Sequence, residues 1–176
     1  QIGEREEQAY GERAREIAAE LAVHFERGRD YRKAVQYLQH AGENAARRSA
    51  HHEAIGLLTK GLELLKTLPD TLERTQQELD LQITLGPVLM VLKGNADPEV
   101  ERVYTRARAL CQRVGETPRL FTVLAGLSTF YYGRGKHQTA RELGEQLLGL
   151  AQRVQDPALL LEAHLDLGGS LFSLGE

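Results

Sequence analysis

One spacing of small residues recurs along the chain and most constrains how it can fold. A small or aliphatic residue is followed by a second after seven positions and by a third after four more. Steps of seven and four return to one face of an α-helix, where small residues let two helices pack closely. The spacing predicts an all-α chain built from a repeated helix pair. The four sets are Ala34, Ala41 and Ala45; Ala54, Gly61 and Leu65; Val100, Ala107 and Cys111; and Ala140, Leu147 and Ala151.

A second mark lies on the first helix of each predicted pair. It is a leucine or alanine followed by a small residue, so that the small residue admits the neighbouring helix and the larger one fills the space beside it. Gly42 and Ser128 each lie twelve positions before the next set, and Gly86 lies fourteen before Val100 because residues 94–97 form a longer turn. The marks are Leu21-Ala22, Ala41-Gly42, Leu85-Gly86, Leu127-Ser128 and Leu167-Gly168.

Helix start and stop signals divide the chain into eight predicted helices. They run over about 4–27, 31–48, 50–68, 71–92, 98–114, 118–133, 137–154 and 157–174. The predicted N-terminal caps are Asp30, Ser49, Asp70 (with Glu73 as a capping box), Asp97, Thr117 and Asp156. Proline removes one backbone hydrogen bond and crowds the preceding turn, so Pro87 predicts a kink in the fourth helix. In the sixth helix, Leu120, Val123, Leu124, Leu127 and Tyr131 are predicted to form the packing face.

Composition excludes several classes of protein. The 176 residues are 41% hydrophobic and 27% charged with a net charge of -3, which is typical of one folded domain and not of a nucleic-acid-binding surface. A single cysteine, Cys111, excludes an internal disulfide and indicates a reducing, cytoplasmic location. No apolar run approaches the roughly 20 residues that cross a bilayer. We expect residues 1–176 to be a single repeat domain within a longer multidomain protein.

The sequence contains motifs that resemble reaction centres but lack the required context. The turn Gly133-Arg-Gly-Lys136-His137 has histidine where a phosphate loop has Ser or Thr, and a helix precedes it where a strand is needed. His51 and His52 are adjacent on a helix and point about 100° apart, so they do not chelate a metal from one face. Cys111 takes a small-residue position, and the carboxylates interleave with Arg and Lys as on a solvated face. We therefore predict no catalytic, cofactor or metal site, and no enzyme.

The two kinds of mark resemble the tetratricopeptide repeat, which carries a Leu-Gly mark on the first helix of each pair and Ala marks on the second. The chain departs from the consensus because its period is about 40 residues rather than 34, and because the large aromatic and the closing proline are mostly missing. The helix over 31–48 carries both kinds of mark. The resemblance implies a right-handed α-solenoid of about eight antiparallel helices with a divergent, tetratricopeptide-like repeat.

Whole phrases of the sequence are similar to one bacterial group, the helical-repeat region of large predicted signalling ATPases. In these proteins the repeats follow a nucleotide-binding ATPase domain, often with a cyclase-like or DNA-binding domain, and MalT-type regulators have a similar plan. The resemblance implies a non-catalytic sensor that docks a protein or peptide partner, or other domains of its own chain. The net charge and the lack of a long apolar run predict that this segment binds neither nucleic acid nor membrane. The phrases are residues 17–28, 34–43, 85–90, 98–104 and 140–148.

The resemblance combined with helical phase predicts a concave groove that binds the partner. Its lining would come from the fourth, sixth and eighth predicted helices. Two alternative functions remain open, namely self-assembly through the exposed end of the last helix and the binding of a small-molecule inducer in the groove. The predicted groove residues are Asp80, Met90, Thr122, Thr129, Tyr132, Glu162 and Phe172.

Overall fold

The computed structural model describes residues 2–115, except for the side chain of Glu12, and residues 118–175. Over these residues the chain is all-α, as predicted, and its helices pack antiparallel along the sequence in a tetratricopeptide-like manner. The described residues form nine α-helices rather than eight, while the right-handed course of the array stays a prediction. The helices are α1 (Ile2–Tyr10), α2 (Ala18–Arg27), α3 (Tyr31–Arg47), α4 (His51–Lys66), α5 (Leu72–Lys93), α6 (Pro98–Val114), α7 (Pro118–Gly133), α8 (His137–Val154) and α9 (Pro157–Leu174).

The additional helix arises because the predicted first helix is broken. A short 3-10 helix, Gly11–Arg15, separates α1 from α2. Gly11 has φ of +50°, a left-handed conformation that interrupts the regular hydrogen-bond ladder. Ala14 and Phe25 are buried as predicted, but Tyr10 is 42% exposed, so the apolar stripe does not run through the break.

Three of the predicted caps are confirmed by side-chain hydrogen bonds. Asp30 accepts from the backbone N–H of Lys33 at 3.2 Å, and Asp97 accepts from that of Glu99 at 2.8 Å. Asp156 accepts from the N–H of Ala158 at 2.8 Å. Each carboxylate satisfies a backbone donor that the first helical turn leaves open.

Two other predicted caps are wrong, and a third lies outside the described residues. Ser49 has φ of +60° and lies one residue before Ala50, which takes the cap position of α4. Thr71, not Asp70, caps α5, because its Oγ1 accepts from the N–H of Arg74 at 3.2 Å. The predicted cap Thr117 is not among the described residues.

The chain divides into two compact units, residues 1–88 and 89–176. In the first unit, α2 packs on α3 and α3 packs on α4. Ala18, Leu21, Phe25 and Leu38 belong to its core. The part of α5 up to Val88 belongs to this unit, and Val88 joins a cluster with Ala45 and Ala54.

The second unit contains α6, α7, α8 and α9, which pack in sequence order. The backbone of α7 approaches Tyr104 of α6 so closely at Gly126 that a Cβ there would overlap the phenol ring. At Gly144 of α8, a Cβ would lie 3.2 Å from the Cα of Leu167 in α9. At these two glycines the helices pack too closely for a side chain to fit without a shift, and the sequence marks identified neither.

The small-residue sets describe the packing faces correctly. Every member of the four sets is buried. The paired marks are also buried except for the last, where Leu167 is half-buried against Gly144 of α8 and Gly168 is exposed, so the small residue of that mark does not face a neighbouring helix. On the predicted packing face of α7, Val123, Leu124 and Leu127 are buried, while Leu120 and Tyr131 are half-buried. Helix α5 continues through Pro87, and the kink there stays a prediction.

Candidate functional site

The predicted groove residues of α7 lie on one exposed line of that helix. Thr122 is exposed and Thr129 is half-buried, with its Oγ1 donating to the carbonyl of Ala125 at 3.0 Å. Tyr132 is 43% exposed, and its ring meets that of His137 edge-on at 5.1 Å between centroids. This line therefore ends in a ring that faces solvent on one side.

A line of α9 residues at helical spacing faces α7. It consists of Asp166, Gly169 and Ser173, at steps of three and four, and Glu162 lies one turn before it. Ser173 Oγ donates to Tyr132 Oη at 3.1 Å, and the Tyr132 ring lies over Gly169, 4.0 Å from the position of a Cβ there. Within the second unit, the structure thus brings Tyr132 of α7 against the last two turns of α9.

Asp166 adds a buried polar contact that the sequence interpretation missed. Ser128 is fully buried and its Oγ donates to Asp166 Oδ1 at 3.0 Å. Burial raises the pKa of the Asp166 carboxyl, the negative charge of Glu162 raises it further, and the Ser128 hydrogen bond acts in the opposite direction. Asp166 Oδ2 is buried and has no hydrogen-bond partner among the described residues. The signal for this contact was the serine in the paired mark of α7, where glycine or alanine would serve packing equally well.

The remaining groove residues take different positions. Asp80 is half-buried in the first unit, where its carbonyl accepts from Thr84 Oγ1 at 2.9 Å. Met90 is half-buried in the second unit, and Glu162 is exposed. Phe172 lies about 80–100° around α9 from the line that faces α7, by the 100° turn of each helical residue. It belongs to a neighbouring face.

That neighbouring face carries three exposed apolar side chains, which we call the α9 stripe. Leu161, Leu165 and Phe172 are 63%, 69% and 84% exposed. Steps of four and seven place them on one side of the helix. Single exposed apolar residues are ordinary on protein surfaces, but three on one helix face form a patch of the kind that mediates association.

The motifs that resembled reaction centres lie in a turn between helices and in the buried core. Residues 133–137 form the turn from α7 to α8, and Lys136 Nζ lies 5.6 Å from the centroid of the Tyr131 ring. Tyr131 Oη in turn donates to Glu101 Oε1 at 2.7 Å, which raises the pKa of the phenol. Cys111 is buried, as its small-residue position predicts. Across residues 2–115 and 118–175, no three His, Cys, Asp or Glu side chains are grouped so that they could hold a metal ion.

The first unit has one polar network at its start. Lys33 Nζ donates to Glu7 Oε2 at 2.6 Å, and Tyr37 Oη donates to Glu7 Oε1 at 2.7 Å. The Tyr37 ring stacks on Phe25 with centroids 5.5 Å apart, and Lys33 lies above Phe25. The network ties α1 to α3, so its role is structural.

Comparison with known proteins identifies the fold. No family model and no curated protein matches the chain. Among solved structures, the crystal structure of BtubC (BKLC) from P. vanneervenii matches with a TM-score of 0.72 and 17% sequence identity, over 99% of this chain and 79% of that one. The fold is tetratricopeptide-like.

At 17% identity this likeness shows the fold alone. None of the helices in the described part of the chain is long and apolar enough to span a membrane.

Proposed function

We propose that this chain is a non-catalytic interaction and regulatory module of a larger bacterial signalling ATPase or cyclase, located in the cytoplasm. The observation that supports it best is the α9 stripe, which lies beside the contact between Tyr132 and Ser173. A partner that covers these exposed apolar side chains would bind favourably, because each Å² of apolar surface removed from water stabilises the complex by about 25 cal/mol.

In this proposal the partner is another domain of the same chain or a separate protein. Tyr132 supplies a rigid ring with a polar end, and Phe172 supplies a large apolar anchor, which are the kinds of residue that dominate interface energies. Binding would favour one arrangement of the repeats over another, and the attached ATPase would respond to that shift. The signalling context rests on the sequence resemblance of residues 17–28, 34–43, 85–90, 98–104 and 140–148.

The test is the ATPase rate of the intact gene product. The double variant Leu165→Ser/Phe172→Ser removes the apolar anchors while leaving α9 helical. Val154→Ser is the matched control, because Val154 is 62% exposed and lies outside the stripe. We expect the double variant to change the basal or stimulated rate several-fold and the control to leave it unchanged. An intact product without a phosphate-loop ATPase, or with equal rates in all three proteins, would contradict the proposal.

Self-assembly is a second candidate function, favoured by the same stripe because a second copy could cover it. Light scattering across a range of concentrations separates this candidate from the first. If the stripe joins copies, the molar mass rises with concentration in the wild type and stays at one copy in Leu165→Glu, since a buried charge without a partner is costly. A wild-type mass of one copy at all concentrations would rule self-assembly out.

A further inference from the structure

A cleft in the second unit lies apart from the predicted groove. It opens between α6, α7 and α8, with a volume of about 310 Å³. This volume is at the lower end of the roughly 300–1,000 Å³ that small-molecule sites occupy. Its lining residues are Arg108, Cys111, Gln112, Leu120, Leu124 and Gln146, and they include no member of the predicted groove.

Arg108 is the charged group of this cleft. It is half-buried on α6, and one Nη donates to Gln146 Oε1 at 3.1 Å. Gln146 Nε2 donates to the carbonyl of Glu142 at 3.1 Å, which fixes the amide with its oxygen towards the guanidinium. The cleft therefore contains an arginine that is held in place by a neutral partner.

Arg108 and Arg102, both on α6, differ in their charge pairing. Among the residues that the structure describes, no Asp or Glu forms an ion pair with Arg108. Arg102, six positions earlier on the same helix, pairs with Glu99 at 2.9 Å. Arginine carries five N–H donors in a planar fork, and a carboxylate accepts two of them in parallel. Arg108 has donors to spare for such an acceptor.

Polar and apolar groups line the cleft in about equal measure. Leu124 and Cys111 are buried, and Leu120 is half-buried. Gln112 is an exposed amide and provides a further neutral polar group. One cation beside an apolar floor complements a molecule with one negative charge and a hydrocarbon tail. A phosphate ester would bring more charge than a single guanidinium neutralises.

We propose that this cleft binds a small organic monocarboxylate with an apolar tail. The carboxylate accepts from Arg108, and the tail lies on Leu120 and Leu124. The site is separate from the α9 stripe, so this proposal and the proposed function stand or fall on different measurements.

Octanoate is the probe that tests the site, with titration calorimetry for affinity and amide NMR shifts for location. We expect shifts centred on residues 108–112, 120–124 and 146. Arg108→Gln should weaken octanoate binding about tenfold or more, as the loss of a charge-assisted hydrogen bond implies. Arg102→Gln is the matched control on the same helix and should bind octanoate like the wild type. Neutral 1-octanol should bind the wild type more weakly than octanoate.

Several outcomes would overturn the proposal. Equal affinity for octanol and octanoate would mean apolar adsorption, and equal affinity for acetate and octanoate would mean an anion site without a tail pocket. Shifts confined to Leu161, Leu165 and Phe172 would place the probe on the α9 stripe. The absence of any shift below the micellar concentration would also reject the site. If circular dichroism shows that Arg108→Gln does not fold, Leu120→Phe replaces it. That variant narrows the cleft, keeps the charge and should abolish binding, so unchanged affinity would contradict the proposal.

Discussion

Single residues decide how closely the helices of this protein approach, and Gly126 is the clearest case. It lies on α7 against the ring of Tyr104, where a side chain of any size would overlap the phenol. We expect Gly126→Ala to lower the free energy of unfolding by about 1–3 kcal/mol, the usual cost of overpacking. The measurement is urea unfolding followed by circular dichroism.

The matched control for that variant is Gly149→Ala on α8. A Cβ at Gly149 meets nothing within 4 Å, so alanine there adds helix propensity without a clash. It should raise the free energy of unfolding by up to about 1 kcal/mol. Destabilisation by Gly126→Ala together with stabilisation by Gly149→Ala would support the close contact, whereas stabilisation by both would contradict it.

Asp166 makes stability depend on pH in a direction that is unusual for an aspartate. Its pKa in the folded protein is raised, above all by burial, so the folded state loses stability as pH rises through that pKa. Asp166→Asn keeps an acceptor for Ser128 and removes the charge. Below pH 3.8, the ordinary pKa of an aspartate carboxyl, the variant and the wild type should have similar stability. Above that pH the variant should become more stable than the wild type. Parallel stability curves between pH 3 and 7 would contradict this account.

At the scale of elements, the docking of α1 should weaken in acid. Burial acts to raise the pKa of Glu7, but hydrogen bonds from Lys33 and Tyr37 outweigh it and lower the pKa below 4.5. The stabilisation is therefore present above pH 4.5 and is lost as pH falls through the lowered value. Hydrogen exchange of the α1 amides, corrected for intrinsic rates, should speed up over that range.

Glu7→Gln tests the cause of this effect. It should speed exchange in α1 at neutral pH and remove the acid-dependent change, because an amide carries no charge for Lys33. Glu20→Gln, an exposed change on α2, is the control and should behave like the wild type. An acid response that persists in Glu7→Gln would assign the effect to another group.

The elements that the sequence predicted well are those whose signal is local. An aspartate before a proline places its carboxylate beside open N–H donors, and α6 and α9 begin there as expected. Small residues at steps of seven and four marked buried faces because helical geometry alone sets that period. The break at Gly11 escaped prediction, since the apolar periodicity continues on both sides of it and a single glycine is tolerated inside many helices.

The candidate site was predictable only in part, because its contacts join residues far apart in the chain. Tyr132 is 43% exposed, while its role in a groove stays a prediction, and the hydrogen bond from Ser128 to Asp166 spans 38 positions. Gly126 and Tyr104 meet across two helices, and the cleft at Arg108 is formed by three. Such contacts depend on the rotation of each helix against its neighbours, which a spacing pattern does not specify.

At the scale of the whole molecule, the central claim is that the α9 stripe is an interaction surface. The most direct measurement is the rate at which a maleimide labels Leu165→Cys, in a Cys111→Ala background, for residues 1–176 alone and for the intact gene product. Val154→Cys provides an exposed reference position in both proteins. We predict that labelling at position 165 is about tenfold slower or more in the intact product, as expected for a surface that a partner covers, while position 154 reacts equally fast in both. Equal rates at position 165 in the two proteins would contradict the claim.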